Sequence, residues 1–303
     1  MSNNNVLLLG GGGFIGQATA RRLASDAIEV HILARQHSLL ATPTIHLHTG
    51  DLSSPAILDT LLPQCSTVVH LASSTTPGSS ANKPSDELDN LRPTLNLLDR
   101  LHNQKNIHLI FVSSGGTIYG NPPHIPVDED APFAPLSYHG AGKMALEGFF
   151  QAFRAAGNAV TILRPSNAYG PRQDLRRGFG FIRTVLEHAR NGSPLEIWGD
   201  GEAIRDFVYV EDVAEAIAMA IGNPTDNGTY NVGSGQGHAL NEVLALAKRV
   251  TGMKINTQHK PARGSDVRGV VLDVSHIRKA LGWQPHIDLE EGLRRTWEWL
   301  LQK

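Results

Sequence analysis

The fold is decided near the start of the chain, by Val6-Leu7-Leu8-Leu9-Gly10-Gly11-Gly12-Gly13-Phe14-Ile15-Gly16. The apolar residues predict a short buried strand, the glycines a tight turn, and the residues that follow an amphipathic helix. In this arrangement a pyrophosphate can approach the backbone, and the helix N-terminus favours its charge. The spacing Gly10-x-x-Gly13-x-x-Gly16 also fits a plain turn. Its place between two strands predicts a dinucleotide site formed by Gly10, Gly13, Phe14, Ile15 and Gly16.

Length, charge and cysteine content restrict the class of protein. The chain has 303 residues, a formal net charge of −2 and no block of basic residues, so we expect neither a nucleic-acid nor a membrane partner. The single cysteine, Cys65, excludes an intrachain disulfide, and residues 1–5 lack the features of a signal peptide. We therefore expect a cytoplasmic protein. The 14 histidines show no ligand spacing, so we expect no metal site.

Strand-like and helix-like patterns alternate through the first half of the chain. We predict strands at Val6–Leu9, Glu29–Leu33, Ile45–His48, Thr67–Leu71, His108–Ser113 and Val160–Arg164. We predict helices at Ile15–Ala24, Pro55–Leu62, Asp86–His102 and Gly142–Ala156. Such alternation is typical of an α/β fold with a Rossmann-type, doubly wound parallel sheet.

The pattern changes after Arg164, where prolines and a Gly/Arg-rich segment interrupt the alternation. We predict further helices at Phe181–Arg190, Val213–Ile221, Leu240–Val250 and Leu289–Leu301, and short strands at Leu195–Trp198, Phe207–Val210 and Thr229–Val232. This predicts a smaller, mostly helical C-terminal substrate lobe. We assign residues 1–167 plus roughly 204–232 to the dinucleotide-binding domain, and 168–203 plus 233–303 to the lobe.

Ligands of such a sheet bind beyond the carboxyl ends of its strands, so the residues there are candidates. Arg35, after Ala34, offers a cation that suits the extra phosphate of NADP, although an exposed arginine explains it equally well. Asp51 either contacts the adenine or caps the helix at Pro55. The remaining candidates at these ends are Leu52, Leu71, Ala72 and Ser73.

Several ordered segments carry a resemblance to a known family. They are Gly10-x-x-Gly13-Phe14-Ile15-Gly16, His70-Leu71-Ala72, Ser113-Ser114-Gly115-Gly116-Thr117-Ile118-Tyr119-Gly120, Leu163-Arg164-Pro165-Ser166-Asn167, Arg205-Asp206-Phe207-Val208-Tyr209 and Leu281-Gly282-Trp283-Gln284-Pro285. Together they resemble the extended short-chain dehydrogenase/reductases, in the branch of the nucleotide-sugar epimerases and dehydratases. The resemblance implies NAD or NADP as cofactor, with Ser113 and Pro165 among its contacts, and a nucleotide-diphosphate sugar as substrate.

The resemblance also implies a catalytic Tyr-x-x-x-Lys pair, from which this chain departs. Lys143 matches the lysine, which holds the nicotinamide ribose, but the residue four positions before it is His139 and not tyrosine. Tyr138 lies one position too early. Residues four apart on a helix differ by about 40° in azimuth and residues five apart by about 140°, so a regular helix favours His139. A loop at Gly140 and Gly142 would allow Tyr138 to serve as the base instead.

The chain also departs from the family at the position of an upstream catalytic serine or threonine. Its position falls on Gly115, and the flanking Ser114 and Thr117 are the candidates for a hydroxyl in its place. The acidic pair of the dehydratase branch is missing at Gly115-Gly116, which argues against water elimination. Neutral imidazole is a suitable base near pH 7, and an adjacent ammonium group would hold its pKa down. Three interpretations remain open: His139 as base, Tyr138 as base, or a site that binds cofactor without turnover.

By resemblance, Asn167, Arg205, Arg263 and Trp198 would contact the sugar diphosphate and its base. The helices Asp86–His102 and Gly142–Ala156 would pair across a homodimer, and Phe149, Phe150 and Phe153 are its predicted outward positions. The predicted function is a UDP-sugar 4-epimerase that works by reversible hydride transfer at C4. The alternatives are an NADPH-dependent 4-keto reductase, which Arg35 favours, and a non-catalytic NAD(P)-binding sensor.

Overall fold

The computed structural model describes residues 5–36, 41–102, 104, 106–176, 179–223, 227–262, 264 and 267–303. Its strands are β1 (Val6–Leu9), β2 (Val30–Ala34), β3 (Ile45–Thr49), β4 (Thr67–His70), β5 (His108–Val112), β6 (Val160–Pro165), β7 (Asn167–Tyr169), β8 (Leu195–Trp198), β9 (Ile204–Tyr209), β10 (Thr229–Val232), β11 (Gly237–Ala239), β12 (Thr257–Lys260) and β13 (Gly269–Val270). Its helices are α1 (Phe14–Ser25), α2 (Pro55–Leu61), α3 (Leu88–Leu101), α4 (Gly115–Ile118), α5 (Tyr138–Ala155), α6 (Phe181–Asn191), α7 (Val210–Ile221), α8 (Leu240–Thr251), α9 (Ser275–Leu281) and α10 (Leu289–Leu301). Short 3-10 turns follow α2 and precede α3, at Leu62–Gln64 and Pro84–Glu87.

Seven parallel strands form the central sheet, in the order β10-β6-β5-β4-β1-β2-β3. The two faces of β1 belong to different apolar clusters: Leu8 packs with residues of α1 and α7, and Leu9 packs with residues of α3 and α5. Helices therefore cover both faces of the sheet, which is why the central strands are buried along their whole length. The chain runs to β2 on one side of β1 and later to β4 on the other, so a topological switch point lies between β1 and β4.

Two smaller sheets lie in the second half of the chain. Strand β9 pairs with β7, β11 and β13, and β8 pairs with β12. A separate apolar cluster joins residues of α6, α8 and α10 to this region. The lobe is therefore a mixture of helix and short strand rather than mostly helix. Strands β7, β11 and β13 have two or three residues each, too few to give an alternating pattern in the sequence.

The predicted elements of the first half agree with the structure within two residues, with one exception. The helix predicted from Gly142 begins at Tyr138, one turn earlier, and this difference matters for the site described below. In the second half, the helix predicted from Val213 begins at Val210. The predicted boundaries between the two domains stay a prediction. No helix in the described part of the chain is long and apolar enough to span a bilayer.

Candidate active site

The turn between β1 and α1 is packed so closely that side chains do not fit. Gly10 has a φ of +82°, and a Cβ there would lie 2.7 Å from the backbone nitrogen of Ala72, directly after β4. A Cβ on Gly16 would lie 2.5 Å from the Cα atom of Gly11. Helix α1 begins after Gly13 with neither a side-chain cap nor an acidic residue in its first turn. Its N-terminal amides therefore meet no anion of their own helix, and the turn fits a pyrophosphate.

The other predicted cofactor residues surround this turn at the carboxyl ends of the strands. The amide of Leu71 donates to the carbonyl of Leu9, and the amide of Ser113 donates to that of Leu163. Pro165 ends β6 and is buried. The hydroxyl of Ser73 donates to the carbonyl of Thr75, at 3.1 Å. These contacts bring Leu71, Ala72, Ser73, Ser113 and Pro165 to the sheet edge that the glycine turn shares.

Arg35 and Asp51 lie at the ends of β2 and β3. Arg35 is exposed, and it contributes to the lowered pKa of the Asp51 carboxyl after the larger effect of hydrogen bonds from Ser53. Asp51 accepts the Ser53 amide at 2.8 Å, so it closes the turn before α2, whose N-cap is Ser54. Leu52 packs against the apolar cluster of α2 and α3. Asp51 is thus engaged in a turn.

Helix α5 begins at Tyr138 because Ser137 caps it, accepting the Gly140 amide at 3.1 Å. The glycines that suggested a loop serve close packing instead. A Cβ on Gly140 would lie 2.8 Å from the carbonyl oxygen of Thr117, and one on Gly142 would lie 2.5 Å from Oε2 of Glu87. The segment is therefore regular helix, and the alternative of a loop at this point is not what the structure has.

The helical phase decides which residues face the site. His139 and Lys143 are both buried, at 8% and 7% exposure, and line one cleft together with Ala72, Ser73, Asn90 and Leu146. Tyr138 is 48% exposed and does not line that cleft. The cleft thus joins the predicted imidazole and ammonium groups to the end of β4.

Burial dominates the electrostatics of this pair. It lowers the pKa of His139 to about 3, with the Lys143 ammonium as the second cause. Burial also lowers the pKa of Lys143 to about 8, against the opposite effect of the Glu147 and Glu87 carboxylates. Lys143 Nζ donates to the carbonyl of Val112 at 3.0 Å, at the end of β5. Near pH 7 His139 is therefore neutral, and one of its ring nitrogens carries a lone pair.

Two residues that the sequence reasoning did not identify lie directly behind His139. Thr75 Oγ1 is 3.0 Å from His139 Nδ1 and donates to Glu87 Oε2 at 3.1 Å. Asn90 Nδ2 donates to both Thr75 Oγ1 and Glu87 Oε2, at 2.9 and 3.0 Å. Glu87 and Asn90 are three residues apart before and within α3, a spacing that places both on one helical face. That spacing was the only local signal for Glu87.

Asn90 fixes the loop after β4. Its Oδ1 accepts the Ser74 amide at 2.7 Å, and its Nδ2 reaches Thr75 and Glu87 as described. Thr75 and Glu87 are both buried. Asn90 therefore orients the loop after β4 and supports His139 through Thr75.

The family's hydroxyl position carries no side chain and has no room for one. A Cβ on Gly115 would lie 2.8 Å from the Arg164 carbonyl oxygen and 2.7 Å from Leu272 Cδ1. Ser114 precedes α4 as its N-cap residue without a side-chain cap bond, and the Thr117 hydroxyl donates to the Ser114 carbonyl at 3.3 Å. The candidate hydroxyls of Ser114 and Thr117 are half-buried beside the site, and their catalytic role stays a prediction.

The predicted substrate residues are spread along the edge of the second lobe. Asn167 Nδ2 donates to the Asp206 carbonyl at 2.8 Å, and its side chain lies 3.5 Å from the Cβ position of Gly116, close to α4. Arg205 Nη1 donates to the carbonyl of Ile204 at 2.9 Å. Trp198 is 41% exposed at the end of β8. Arg263 lies outside the described residues.

Asp206 connects these elements, and the sequence reasoning assigned it no role. Its buried carboxylate accepts from the hydroxyls of Ser166 and Ser234 and from the backbone amide of Leu272. Burial raises the pKa of this carboxyl in spite of these hydrogen bonds. Asp206 thereby ties β9, which carries Arg205, to the ends of β6 and β10.

Comparison with known proteins identifies the family. The model of the NAD dependent epimerase/dehydratase family matches residues 6–233. This chain belongs to that family. It is 32% identical to a putative UDP-glucose 4-epimerase of Methanocaldococcus jannaschii over 302 residues, which cover 97% of this chain and 98% of that protein.

Solved structures give the same assignment. The UDP-glucose 4-epimerase of Thermotoga maritima with UDP-glucose superposes with a TM-score of 0.92 at 32% identity, covering 98% of this chain and 99% of the other. The UDP-glucose 4-epimerase of Thermus thermophilus in complex with NAD gives a TM-score of 0.90 at 31% identity, with the same coverage. The Rossmann-type α/β fold expected from the sequence is therefore confirmed.

Proposed function

We propose that this chain is an NAD-dependent UDP-sugar 4-epimerase whose proton acceptor is His139. The observation that carries the proposal is the burial of His139 and Lys143 side by side, one helical turn apart, in a cleft at the topological switch point. The names of relatives that match nearly the full length of this chain support the reaction class.

The cofactor has a fitting place among the described residues. The glycine turn at Gly10, Gly13 and Gly16 would hold the pyrophosphate, and Lys143 would hold the nicotinamide ribose. When bound, NAD supplies a reversible hydride acceptor for the carbinol carbon of the sugar. Neutral His139 would take the proton of the sugar hydroxyl as that carbon is oxidised, and would return it when the carbon is reduced from the other face.

We propose NAD rather than NADP, because the solved relatives with a named dinucleotide contain NAD. The NADP preference predicted from Ala34-Arg35 finds no support in these relatives and stays a prediction. It is tested by competition between NAD and NADPH for the purified chain, with Arg35→Ala as the variant that would lose any 2′-phosphate contact. Tighter NADPH binding, lost in Arg35→Ala, would favour the 4-keto reductase over the epimerase.

A homodimer and a cytoplasmic location complete the proposed function. The pairing of α3 with α5 leaves Leu88 and Phe149 exposed, which supports an interface on these helices. Phe150 and Phe153, also predicted to face outward, are buried, and Phe150 stacks on Phe111 with ring centroids 4.3 Å apart. The outward prediction is wrong for those two residues.

The test of the proposed function is interconversion of UDP-glucose and UDP-galactose, and of the corresponding UDP-N-acetylhexosamines, with NAD present. We expect turnover by the wild-type chain and a loss in kcat of at least about 100-fold in His139→Ala, the effect of removing a general base. Tyr138→Phe is expected to retain turnover, since Tyr138 lies outside the cleft.

Two outcomes would contradict the proposal. Wild-type protein that binds UDP and NAD but turns over none of these sugars would show that the substrate or the reaction is different. Full turnover by His139→Ala would exclude the histidine as base. Absence of UDP binding by calorimetry would instead favour the non-catalytic sensor.

A further inference from the structure

The hydrogen bonds behind His139 determine which of its ring nitrogens carries the proton. Neutral imidazole has one N–H, and its tautomer is set by the partner of each nitrogen. Nδ1 is 3.0 Å from Thr75 Oγ1, whereas Nε2 makes no hydrogen bond to any residue in the described ranges. The question is therefore whether Thr75 accepts from Nδ1 or donates to it.

The orientation of the Asn90 amide limits what Thr75 can donate. Its Oδ1 accepts the backbone amide of Ser74, which can only donate, so its Nδ2 must face Thr75 and Glu87. Thr75 Oγ1 thus accepts one hydrogen bond from Asn90. The single hydroxyl proton of Thr75 remains for either Glu87 or His139.

The carboxylate of Glu87 accepts the hydrogen bond that this hydroxyl donates. An ionised carboxylate only accepts hydrogen bonds, and bonds to it are stronger than bonds to a neutral imidazole. Thr75 therefore donates to Glu87 Oε2, at 3.1 Å, and its remaining lone pair is left for His139. The ring must then donate from Nδ1, which leaves the lone pair on Nε2.

We propose that Thr75, oriented by Asn90 and Glu87, holds His139 as the Nδ1–H tautomer and so makes Nε2 the proton-accepting atom. Thr75, Asn90 and Glu87 are positioning residues that act through His139. The inference rests on the proposed function only for its consequence in catalysis, because the tautomer is a property of the protein without substrate.

Glu87 has a second consequence, because it places a negative charge behind the ring. Burial and Lys143 both disfavour the imidazolium ion, so His139 is a weak base at rest. When Nε2 takes the sugar proton, the ring becomes positive and its Nδ1–H bond to Thr75 is polarised toward Glu87. The carboxylate stabilises that charge through Thr75, in the way that an acidic residue behind a catalytic histidine does. Glu87 Oε1 is buried without a hydrogen bond among the described residues, so this charge is little screened.

The test uses nitrogen-15 NMR of histidine-labelled protein without substrate, with the His139 signals assigned by their absence in His139→Gln. Chemical shifts and couplings distinguish a protonated ring nitrogen from a bare one. In wild-type protein near pH 7 we expect protonated Nδ1 and bare Nε2. In Thr75→Val, which keeps the shape and removes the hydroxyl, we expect a mixture of tautomers, and in Thr75→Ser we expect the wild-type pattern.

Kinetics supply the second readout. Thr75→Val is expected to lower kcat about 10-fold with little change in KM, the loss of one hydrogen bond in the transition state. Glu87→Gln keeps an acceptor for Thr75 and removes the charge, so it should lower kcat and leave the tautomer unchanged. Thr60→Val is the matched control, since the Thr60 hydroxyl donates to the Ala56 carbonyl on the exposed surface of α2.

The results separate the inference from the proposed function. Protonated Nε2 in the wild-type protein, or an unchanged tautomer in folded Thr75→Val, would overturn the inference even if the chain epimerises UDP-sugars. An Nδ1–H tautomer that depends on Thr75, in a chain without 4-epimerase activity, would support the inference and reject the proposed reaction.

Discussion

A Cβ on Gly142 would lie 2.5 Å from Oε2 of Glu87, so the carboxylate fills the space that any larger residue at position 142 would need. The same oxygen accepts from Thr75 and Asn90. Because Gly142 has no side chain, α5 leaves room for the Glu87 carboxylate, which supports His139 on the preceding turn of the helix. Glu87 therefore forms one arrangement with His139 and Gly142 of α5, although it lies about 50 residues earlier in the chain.

Gly142→Ala is predicted to destabilise the protein by about 1–3 kcal/mol, the usual cost of overpacking a tight site. This is the opposite of the effect expected from helix propensity, which favours Ala over Gly by about 1 kcal/mol. Displacement of Glu87 should also lower kcat. Urea unfolding of both proteins measures the first effect, and the 4-epimerase assay measures the second.

Gly148→Ala is the matched control for this prediction. It lies on the same helix, and a Cβ there meets nothing within 4 Å. We expect it to stabilise the chain, with light scattering to verify an unchanged oligomeric state. Equal stabilisation by both substitutions would show that Glu87 moves aside freely and that the arrangement is not tight.

Gly115→Ser is predicted to destabilise the chain without improving turnover, although serine would restore the hydroxyl typical of the family. The new Cβ would lie 2.8 Å from the backbone oxygen of Arg164, which cannot move as a side-chain tip would. Thermal unfolding of Gly115→Ser and Gly116→Ser distinguishes the two positions, because a Cβ on Gly116 makes only ordinary contact with Asn167, at 3.5 Å. A stable Gly115→Ser variant with increased kcat would contradict the prediction.

Local sequence patterns were sufficient to predict the strands of the central sheet and part of the site. The glycine turn follows β1 in sequence, and His139 and Lys143 are four residues apart on one helix, so their proximity follows from helical geometry. Thr75 and Glu87 left no comparable signal. Thr75 is 64 residues from His139, and a loop contact of this kind depends on how α3 and α5 pack together. Phe149 and Phe150 show the same limit, because only the packing of α5 against the sheet determines which of the two is buried.

Acid is predicted to destabilise the protein as the pH falls below about 6.5, the ordinary pKa of histidine. Burial, with Lys143 as second cause, lowers the pKa of both His70 and His139 to about 3. Between those values the unfolded chain binds protons that the native chain does not. Each of these histidines therefore reduces stability by up to about 1.4 kcal/mol per pH unit over that window, and the loss is absent above it.

Urea unfolding at pH 7 and at about pH 5 measures this dependence. The difference between the two free energies of unfolding should shrink in His70→Gln and in His139→Gln, since each variant removes one titrating group. His124→Gln, at an exposed position, is the control and should keep the wild-type difference. A difference that stays the same in both buried-site variants would mean that His70 and His139 titrate normally in the native protein.

Phe149→Arg is predicted to prevent formation of the proposed homodimer while leaving the monomer folded. Phe149 is 44% exposed on α5, whereas Phe150 on the same helix is fully buried and belongs to the core. A charged residue at the centre of an apolar helix interface would lose its hydration there, which is costly when no partner is present. Multi-angle light scattering at micromolar concentration, with circular dichroism as the check on folding, measures the outcome. Met253→Arg, an exposed position after α8, is the control and should keep the wild-type mass. A wild-type monomer at that concentration, or a dimer in both variants, would place the assembly elsewhere and leave Phe149 a solvated surface residue.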